Sequence, residues 1–157
     1  MDFIIDKIEK DYPYNLLLLA DETVEAINKY LYDSDVYIVK NAGETIGVFC
    51  LFSIDNQTVE IKNVAVSEKH QGKGVGRLIM KNIEKIAKKD YYQTIVVGTA
   101  ECGIKQLRFY KKNGYSEYAV KENFFVENYA EPIYENGIRL KDMVMLKKGK
   151  HPIKSPF

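Results

Sequence analysis

Apolar residues recur along this chain with two different periods, and the switch between them organises the reading. Phe3 to Ile8 reads as a strand, and Pro13 with the leucines after it as a short helix whose Pro sits near the first turn. Val24, Ile27 and Leu31 form the apolar face of a second helix, with Asp21 placed to cap it. Val36 to Lys40 and Ile46 to Ile54 read as strands on either side of the turn Asn41-Ala42-Gly43. Asp55-Asn56 then turns the chain into a strand from Val59 to Val66, so three antiparallel strands are expected in a row. Beyond this point the period becomes helical: Val75, Leu78, Ile79, Ile83, Ile86 and Ala87 make one stripe, with Lys73, Arg77, Lys81, Lys85, Lys88 and Lys89 largely outside it. Thr94 to Val97 is a short buried strand, Ile104 to Lys112 a helix closed by Asn113-Gly114, and Tyr115 to Val120 a further strand. The last strand is expected over Ile138 to Leu146, after a long segment rich in Tyr, Phe and Glu. A strand, helix, strand unit implies parallel pairing of Val59 to Val66 with Thr94 to Val97. The expected fold class is α+β: one domain over residues 1–157, with a central, mixed but mostly antiparallel sheet flanked by helices.

Composition narrows the function classes. An apolar share of 46% beside 29% charged residues is ordinary for a globular protein, and 157 residues suffice for one core. A net charge of +1 without a long basic tract gives no reason to expect nucleic acid. Cys50 and Cys102 lie far apart, which suggests neither a disulfide framework nor a zinc site, and Cys50 falls in the apolar run Val48 to Phe52 as a core residue. Leu16 to Ala20 is too short and too poorly flanked for a signal peptide or membrane span, so a reducing cytoplasm is the expected compartment. His70 and His151 are not at metal-ligand spacing, and no metal is expected. No G-x-S-x-G elbow is present for an acyl-serine, and nothing supplies Cys102 with a paired base.

The candidate chemistry starts at Gln71-Gly72-Lys73-Gly74-Val75-Gly76, between the strand ending at Val66 and the amphipathic helix. Glycines permit positive φ and close approach of main chain to a ligand, and the unpaired N–H groups of a helix start favour an anion such as phosphate or pyrophosphate. Spacing separates the candidates. The glycines at 72, 74 and 76 do not fit the dinucleotide fingerprint G-x-G-x-x-G, and Gly72-Lys73 is followed by Gly74 rather than the Ser or Thr of a Walker loop. A flexible surface turn before a basic helix is the bland alternative.

The pattern that fits is Q-x-x-G-x-G on Gln71, Gly74 and Gly76, and here the chain closely resembles the acyl-CoA-binding loop of the GNAT superfamily of N-acyltransferases. The element order resembles that fold as well, most specifically from about residue 35 to residue 120. The resemblance implies that the two parallel strands splay apart and that the pantetheine arm of acetyl-CoA lies in the gap. There it would pair like an added strand with main-chain groups of Val64, Ala65 and Val66. It implies pyrophosphate on the N–H groups from Gln71 through Gly72, Lys73, Gly74 and Val75 to Gly76, with Lys73 and Arg77 adding charge-assisted contacts.

The same resemblance supplies catalytic candidates. Glu60 stands eleven residues before Gln71, an offset similar to that of the general-base glutamate in histone-acetylating members. Strict alternation would put Glu60, Lys62, Val64 and Val66 on one face unless a bulge intervenes; a solvated strand-end carboxylate is the alternative role for Glu60. Tyr110, in Leu107-Arg108-Phe109-Tyr110 ahead of Gly114-Tyr115, looks like the family tyrosine that contacts the cofactor near its sulfur and donates to the departing thiolate. Packing against the core is the alternative for Phe109 or Tyr110. Gly103 stands where many members carry an Asn, so backbone groups near Cys102 to Lys105 would replace that side chain. The implied reaction is direct transfer from acetyl-CoA to a primary amine, with backbone N–H near Val64 stabilising the oxyanion.

Charge points to an acceptor class. Residues 69–89 hold seven Lys or Arg and one acid, Glu84, as suits an anionic cofactor. Residues 11–35 hold six acids against Lys29, and residues 121–136 hold Glu122, Glu127, Glu131 and Glu135 against Lys121, with Phe124, Phe125, Tyr129 and Tyr134 interleaved. Acids with aromatic faces suit a small cationic amine; a solvated acidic surface is the bland alternative. Two other functional readings stay open at this level: a protein or peptide N-acetyltransferase, and a non-catalytic acyl-CoA-binding regulator. The oligomeric state, homodimer included, is not legible.

Overall fold

The computed structural model describes residues 2–149; His151 and the rest of the C-terminal tail lie outside the described residues. The elements are β1 (Phe3–Ile8), α1 (Tyr14–Ala20), α2 (Val24–Leu31), β2 (Asp35–Asn41), β3 (Glu44–Ser53), β4 (Thr58–Val66), α3 (Val75–Lys89), β5 (Thr94–Ala100), α4 (Ile104–Lys112), β6 (Ser116–Lys121), α5 (Phe124–Glu127), β7 (Tyr134–Glu135), β8 (Ile138–Arg139) and β9 (Met143–Gly149). A seven-stranded sheet runs in the order β1-β2-β3-β4-β5-β9-β6, and a separate ribbon pairs β7 with β8. Within the large sheet β4 and β5 are parallel and the remaining neighbours antiparallel, as the connections require.

Each face of the sheet buries one helical layer. The α3 stripe of Val75, Ile79, Met80, Ile83 and Ala87 packs with Val39, Ile46, Phe49, Leu51, Val59, Ile61, Ile95, Val97 and Leu146. On the other face, Leu16 and Leu17 of α1 and Ile27 and Leu31 of α2 pack with Val36, Ile38, Val48, Cys50 and Ala65. Ile79, Ile83 and Phe49 are fully buried, each contributing about 1.5–3 kcal/mol of transfer free energy. Phe125, Ala100 and Leu140 form a smaller cluster that anchors the segment between β6 and β9.

Four expectations need correction. The α2 cap is Thr23, whose Oγ1 accepts from the Ala26 N–H at 3.0 Å, because Asp21 is already engaged by two tyrosine hydroxyls. Val24 is 44% exposed, so the buried face of α2 runs through Ile27, Tyr30 and Leu31. The last long strand is β9, starting at Met143; Ile138 instead belongs to the small ribbon, whose turn takes positive φ at Asn136 and Gly137. Tyr115 precedes β6 and is buried, whereas every residue of β6 is exposed.

Candidate active site

The site begins where β4 and β5 part. Their parallel register runs from Thr58 opposite Thr94 to Ile61 opposite Val97 and stops, although β4 continues to Val66 and β5 to Ala100. A bulge explains the divergence. Against β3, Cys50 faces Asn63 and Leu51 faces Ile61, so Lys62 is the extra residue and β4 bends there. On its other edge β5 pairs with β9 along its whole length, from Thr94 to Ala100, and there Met143 and Met145 crowd the space a Cβ on Gly98 would need.

The bulge also corrects the alternation. Val59 and Ile61 face α3 before it, and Val64 and Val66 pack toward that same cluster after it, whereas Asn63 and Ala65 face the α1 side. Glu60 therefore shares its face with Asn63 and Ala65, not with Val64 and Val66. Main-chain direction follows from one bond: the Ser67 N–H donates to the Ile46 carbonyl at 2.8 Å. Antiparallel pairs alternate, so Ala65 and Asn63 turn their polar groups to β3 while Val64 and Val66 turn theirs into the gap. The Gln71 amide donates to the Val66 carbonyl at 2.9 Å, which leaves the Val64 N–H and C=O and the Val66 N–H as the outward groups.

A turn closes the mouth of this gap. Gly72 and Gly74 have φ of +74° and +86° with open space around a would-be Cβ, so they are required for conformation rather than for room. Gly76 has the opposite reason: a Cβ there would stand 3.2 Å from the Phe109 ring, so it lets α3 and α4 approach. The α3 ladder starts with the Leu78 N–H on the Gly74 carbonyl, leaving the N–H groups of Val75, Gly76 and Arg77 without helical acceptors and without a side-chain cap. Lys69 is held by Glu44 at 2.8 Å, whereas Lys73 and Arg77 make no ion pair among the described residues. His70, beside the turn, is bonded through Nδ1 to the Ser67 hydroxyl at 2.7 Å.

Glu60 lies on the opposite face, 8% exposed, in the row Phe52, Glu60, Val96 and Lys147 defined by the strand registers. Lys62 Nζ stands 3.0 Å from Glu60 Oε1 and 5.4 Å from the Phe52 ring centre, so the bulge residue returns to cover the carboxylate. Burial raises the Tyr118 phenol, and the Glu60 charge raises it further, which sets that ring close by. Tyr110, on α4, packs edge-on against Phe109 and Tyr115 with ring centres 5.4 and 6.0 Å away. Burial pushes its phenol up to about 12, and no hydrogen bond to its hydroxyl occurs among the described residues. Gly103 precedes α4, and a Cβ there would stand 3.1 Å from both the Ala100 carbonyl and the Gln106 amide oxygen, so a side chain at this position would press on both.

With this geometry in hand, similarity to known proteins decides the family. Residues 2–115 match the model of the Acetyltransferase (GNAT) family. The chain belongs to the GNAT acetyltransferase family. It is 43% identical over 137 residues to the uncharacterized N-acetyltransferase YvbK of Bacillus subtilis, covering 87% of this chain and 88% of that one. A GNAT family acetyltransferase from Elizabethkingia anophelis with acetyl-CoA bound superposes with a TM-score of 0.90 at 40% identity, covering 94% of this chain and 97% of that one. An IAA acetyltransferase from Bacillus cereus does so with a TM-score of 0.88 at 34% identity, covering 94% and 99%. The protein is an acetyl-CoA-dependent N-acetyltransferase, and the splayed gap with its outward main-chain groups and uncapped helix start has the donor set that this cosubstrate requires.

The side of the gap facing α1 is acidic, though only in part as the charge pattern predicts. Asp33 and Asp35 lie at the far end of α3, lining with Asp90 a cavity of about 90 Å³, and Asp35 is paired with Lys7 at 3.2 Å. Asp21 and Glu22, in contrast, meet the 124–140 segment. Burial raises the Glu22 carboxyl, and the charges of Glu135 and Asp21 raise it further. Burial with Glu135 and Glu101 raises the Cys102 thiol too, which keeps it protonated and a poor nucleophile. Asn63 and the tyrosines that bond to Asp21 carry no sequence motif, and no local signal in the sequence singles them out. No helix among the described residues is long and apolar enough to cross a membrane.

Proposed function

We propose that residues 1–157 form one N-acetyltransferase domain that moves the acetyl group of acetyl-CoA directly to a primary amine on a small cationic molecule. The observation that carries this reading is the acid grouping of Glu22, Asp21 and Glu135 on the α1 side of the splayed gap, where the Glu22 carboxyl is raised by burial and by its acidic neighbours. A carboxylate raised by its acidic neighbours gains when an ammonium group comes beside it.

Acetyl-CoA supplies an activated thioester, and this chain's residues do the rest. The outward Val64 and Val66 groups hold the pantetheine arm, while Ala65 between them turns its own N–H and C=O to β3 and takes no part. N–H groups from Gln71 to Arg77, with the Lys73 and Arg77 charges, hold the pyrophosphate. Glu60, directly or through water, takes the proton that an ammonium must lose before it can attack, and the Val64 N–H meets the oxygen that gains charge. Lys62 keeps the carboxylate in place at 3.0 Å. Tyr110 donates a hydrogen bond to the sulfur. A phenol near 12 lies well above an ordinary thiol near 8.5, by about 3.5, so full proton transfer becomes favourable only as far as burial raises the thiol as well.

The test is thiol release from acetyl-CoA with spermidine, a lysine peptide, an aromatic monoamine, an acidic amino acid and IAA, after which the Bacillus cereus relative is named, each at two ionic strengths. Spermidine is expected to lead, with a KM that rises as salt screens the acids. Preference for the acidic amino acid or for IAA would overturn the cationic assignment, and preference for the peptide would favour a protein substrate.

A further inference from the structure

Three chain segments converge on Asp21. Its Oδ2 accepts from the Tyr30 hydroxyl at 3.0 Å, and its Oδ1 accepts from the Tyr129 hydroxyl and from the Glu22 N–H, both at 2.7 Å. The Tyr30 hydroxyl in turn accepts from Asn63 Nδ2 at 3.1 Å, and the same amide donates to the Leu17 carbonyl at 3.0 Å. Every link has a fixed direction, because a carboxylate only accepts and an amide nitrogen only donates. The row therefore runs from Asn63, the residue after the β4 bulge, through α2 and the α1–α2 connection to the 124–140 segment.

The far end of this row is a dock. The Tyr129 ring stacks on Phe125, with centres 5.9 Å apart and planes at 21°, and Phe125 is buried with Ala100 and Leu140. Lys29 Nζ, on α2, reaches the Asn128 carbonyl at 3.4 Å and ties the same two segments. Since tyrosine hydroxyls occupy both Asp21 oxygens, Glu22 and Glu135 remain the carboxylates open to a cation.

We propose that Asp21 is a positioning residue for the acceptor side: through Tyr129 it docks the 124–140 segment on the α1–α2 connection, and through Tyr30 and Asn63 it registers that dock to β4 where the cosubstrate gap opens. The inference rests on the reading that the amine enters between these segments. Glu135 is then brought opposite Glu22 by a contact that itself touches no substrate.

Tyr129→Phe removes one hydroxyl and keeps the ring stack. Two measurements on the full chain test it: amide hydrogen exchange, and steady-state kinetics with the panel amine turned over fastest. Exchange across 124–140 should accelerate about tenfold or more, the equivalent of a lost hydrogen bond to a charged group, and acceptor KM should rise by a similar factor. CoA affinity should stay within twofold. Asp21→Ala should do the same, and Asp21→Asn, which keeps one accepting oxygen, should recover part of the loss. Unaltered exchange in 124–140 would overturn the dock even if no amine in the panel were a substrate. Faster exchange with unchanged acceptor KM, or with CoA affinity falling in parallel, would overturn its role in the acceptor site.

Discussion

Gly74 is the position at which one side chain should separate folding from cosubstrate binding. Its φ of +86° lies in the left-handed region and its surroundings are open, so Gly74→Val meets no steric obstacle in the protein but a conformational one. Holding a non-glycine residue there costs about 1–2 kcal/mol, more when it is β-branched. The loop can escape that cost by rotating Gly74 to negative φ. It then redirects the N–H groups of Gly74 and the first turn of α3, the groups without helical acceptors. Two charge-assisted hydrogen bonds to a pyrophosphate, at roughly 1.5–3 kcal/mol each, correspond to about 10²- to 10⁴-fold in Kd.

Calorimetric titration of CoA, with thermal unfolding in parallel, reads both terms. Gly74→Val is expected to lose at least 100-fold in CoA affinity, on the order of the estimate above, while unfolding stays cooperative. Gly76→Ala is the matched comparison: its φ is ordinary and its new Cβ presses on Phe109 at 3.2 Å, the ring beside Tyr110. It should weaken CoA binding by less than about tenfold and act mainly on turnover, because it strains the α3–α4 contact rather than the anion cradle. A folded Gly74→Val protein binding CoA within threefold of wild type would refute the cradle.

Other predictions follow from charge and burial. Glu60→Gln should lower the neutral-pH rate by roughly 10²- to 10⁴-fold with CoA affinity intact and partial recovery at high pH, where the amine is already neutral; wild-type turnover with chemistry rate-limiting would exclude Glu60 as base. Tyr110→Phe should lower kcat without changing the shape of the pH profile between pH 6 and pH 10, because a phenol near 12 stays protonated throughout; loss of an alkaline limb in that range would contradict its burial. Burial also raises Tyr30, Tyr115 and Tyr129. A raised folded-state value means that stability is complete below the unfolded value near 10 and falls as pH rises beyond it, by up to about 1.4 kcal/mol per pH unit and group. Urea midpoints should thus be flat to pH 9.5 and drop by pH 11.5. The Tyr115 hydroxyl is buried and has no hydrogen-bond partner among the described residues, so Tyr115→Phe should stabilise the fold by about 1–3 kcal/mol and blunt that drop.

Much of the architecture was legible because local rules and tertiary demands coincide. The α3 stripe, the Ala42-Gly43 hairpin turn and the switch from period two to helical period all place elements within a residue or two of their observed bounds. The turn from Gln71 to Gly76 was legible because positive φ demands glycine at 72 and 74. What local pattern did not give is telling. Asp21 looked like a helix cap because capping is a sequence-local property, whereas its real partner Tyr129 lies 108 residues away. Ile138 looked like the start of the last long strand because it is itself strand, that of the ribbon, and only Leu140, Lys141 and Asp142 separate β8 from β9. Acids at 33 and 35 looked like acceptor-side charge because a sequence count does not know which end of α3 a residue occupies.

The bulge at Lys62 joins these threads. A regular β4 would have carried Glu60 and Val64 on one face and kept pairing β5 past Ile61. One extra residue bends the strand away from β5, which frees the Val64 and Val66 main chain for the cosubstrate, and inverts the alternation, which sends the Asn63 amide toward α1 and the Tyr30 row. Its own ammonium returns to Glu60 at 3.0 Å. Deleting Lys62 would remove the bulge while leaving Asn63 opposite Cys50 and Val64 opposite Phe49, each on its present face, and the physical expectation is specific: β4 would straighten and go on pairing with β5 past Ile61, and the contact of Asn63 with Tyr30 would survive. Such a protein should lose CoA binding and keep the exchange protection of residues 124–140, although residue 62 itself lies in neither contact set. CoA affinity within threefold of wild type in a folded deletion protein would mean that the bulge does not open the gap.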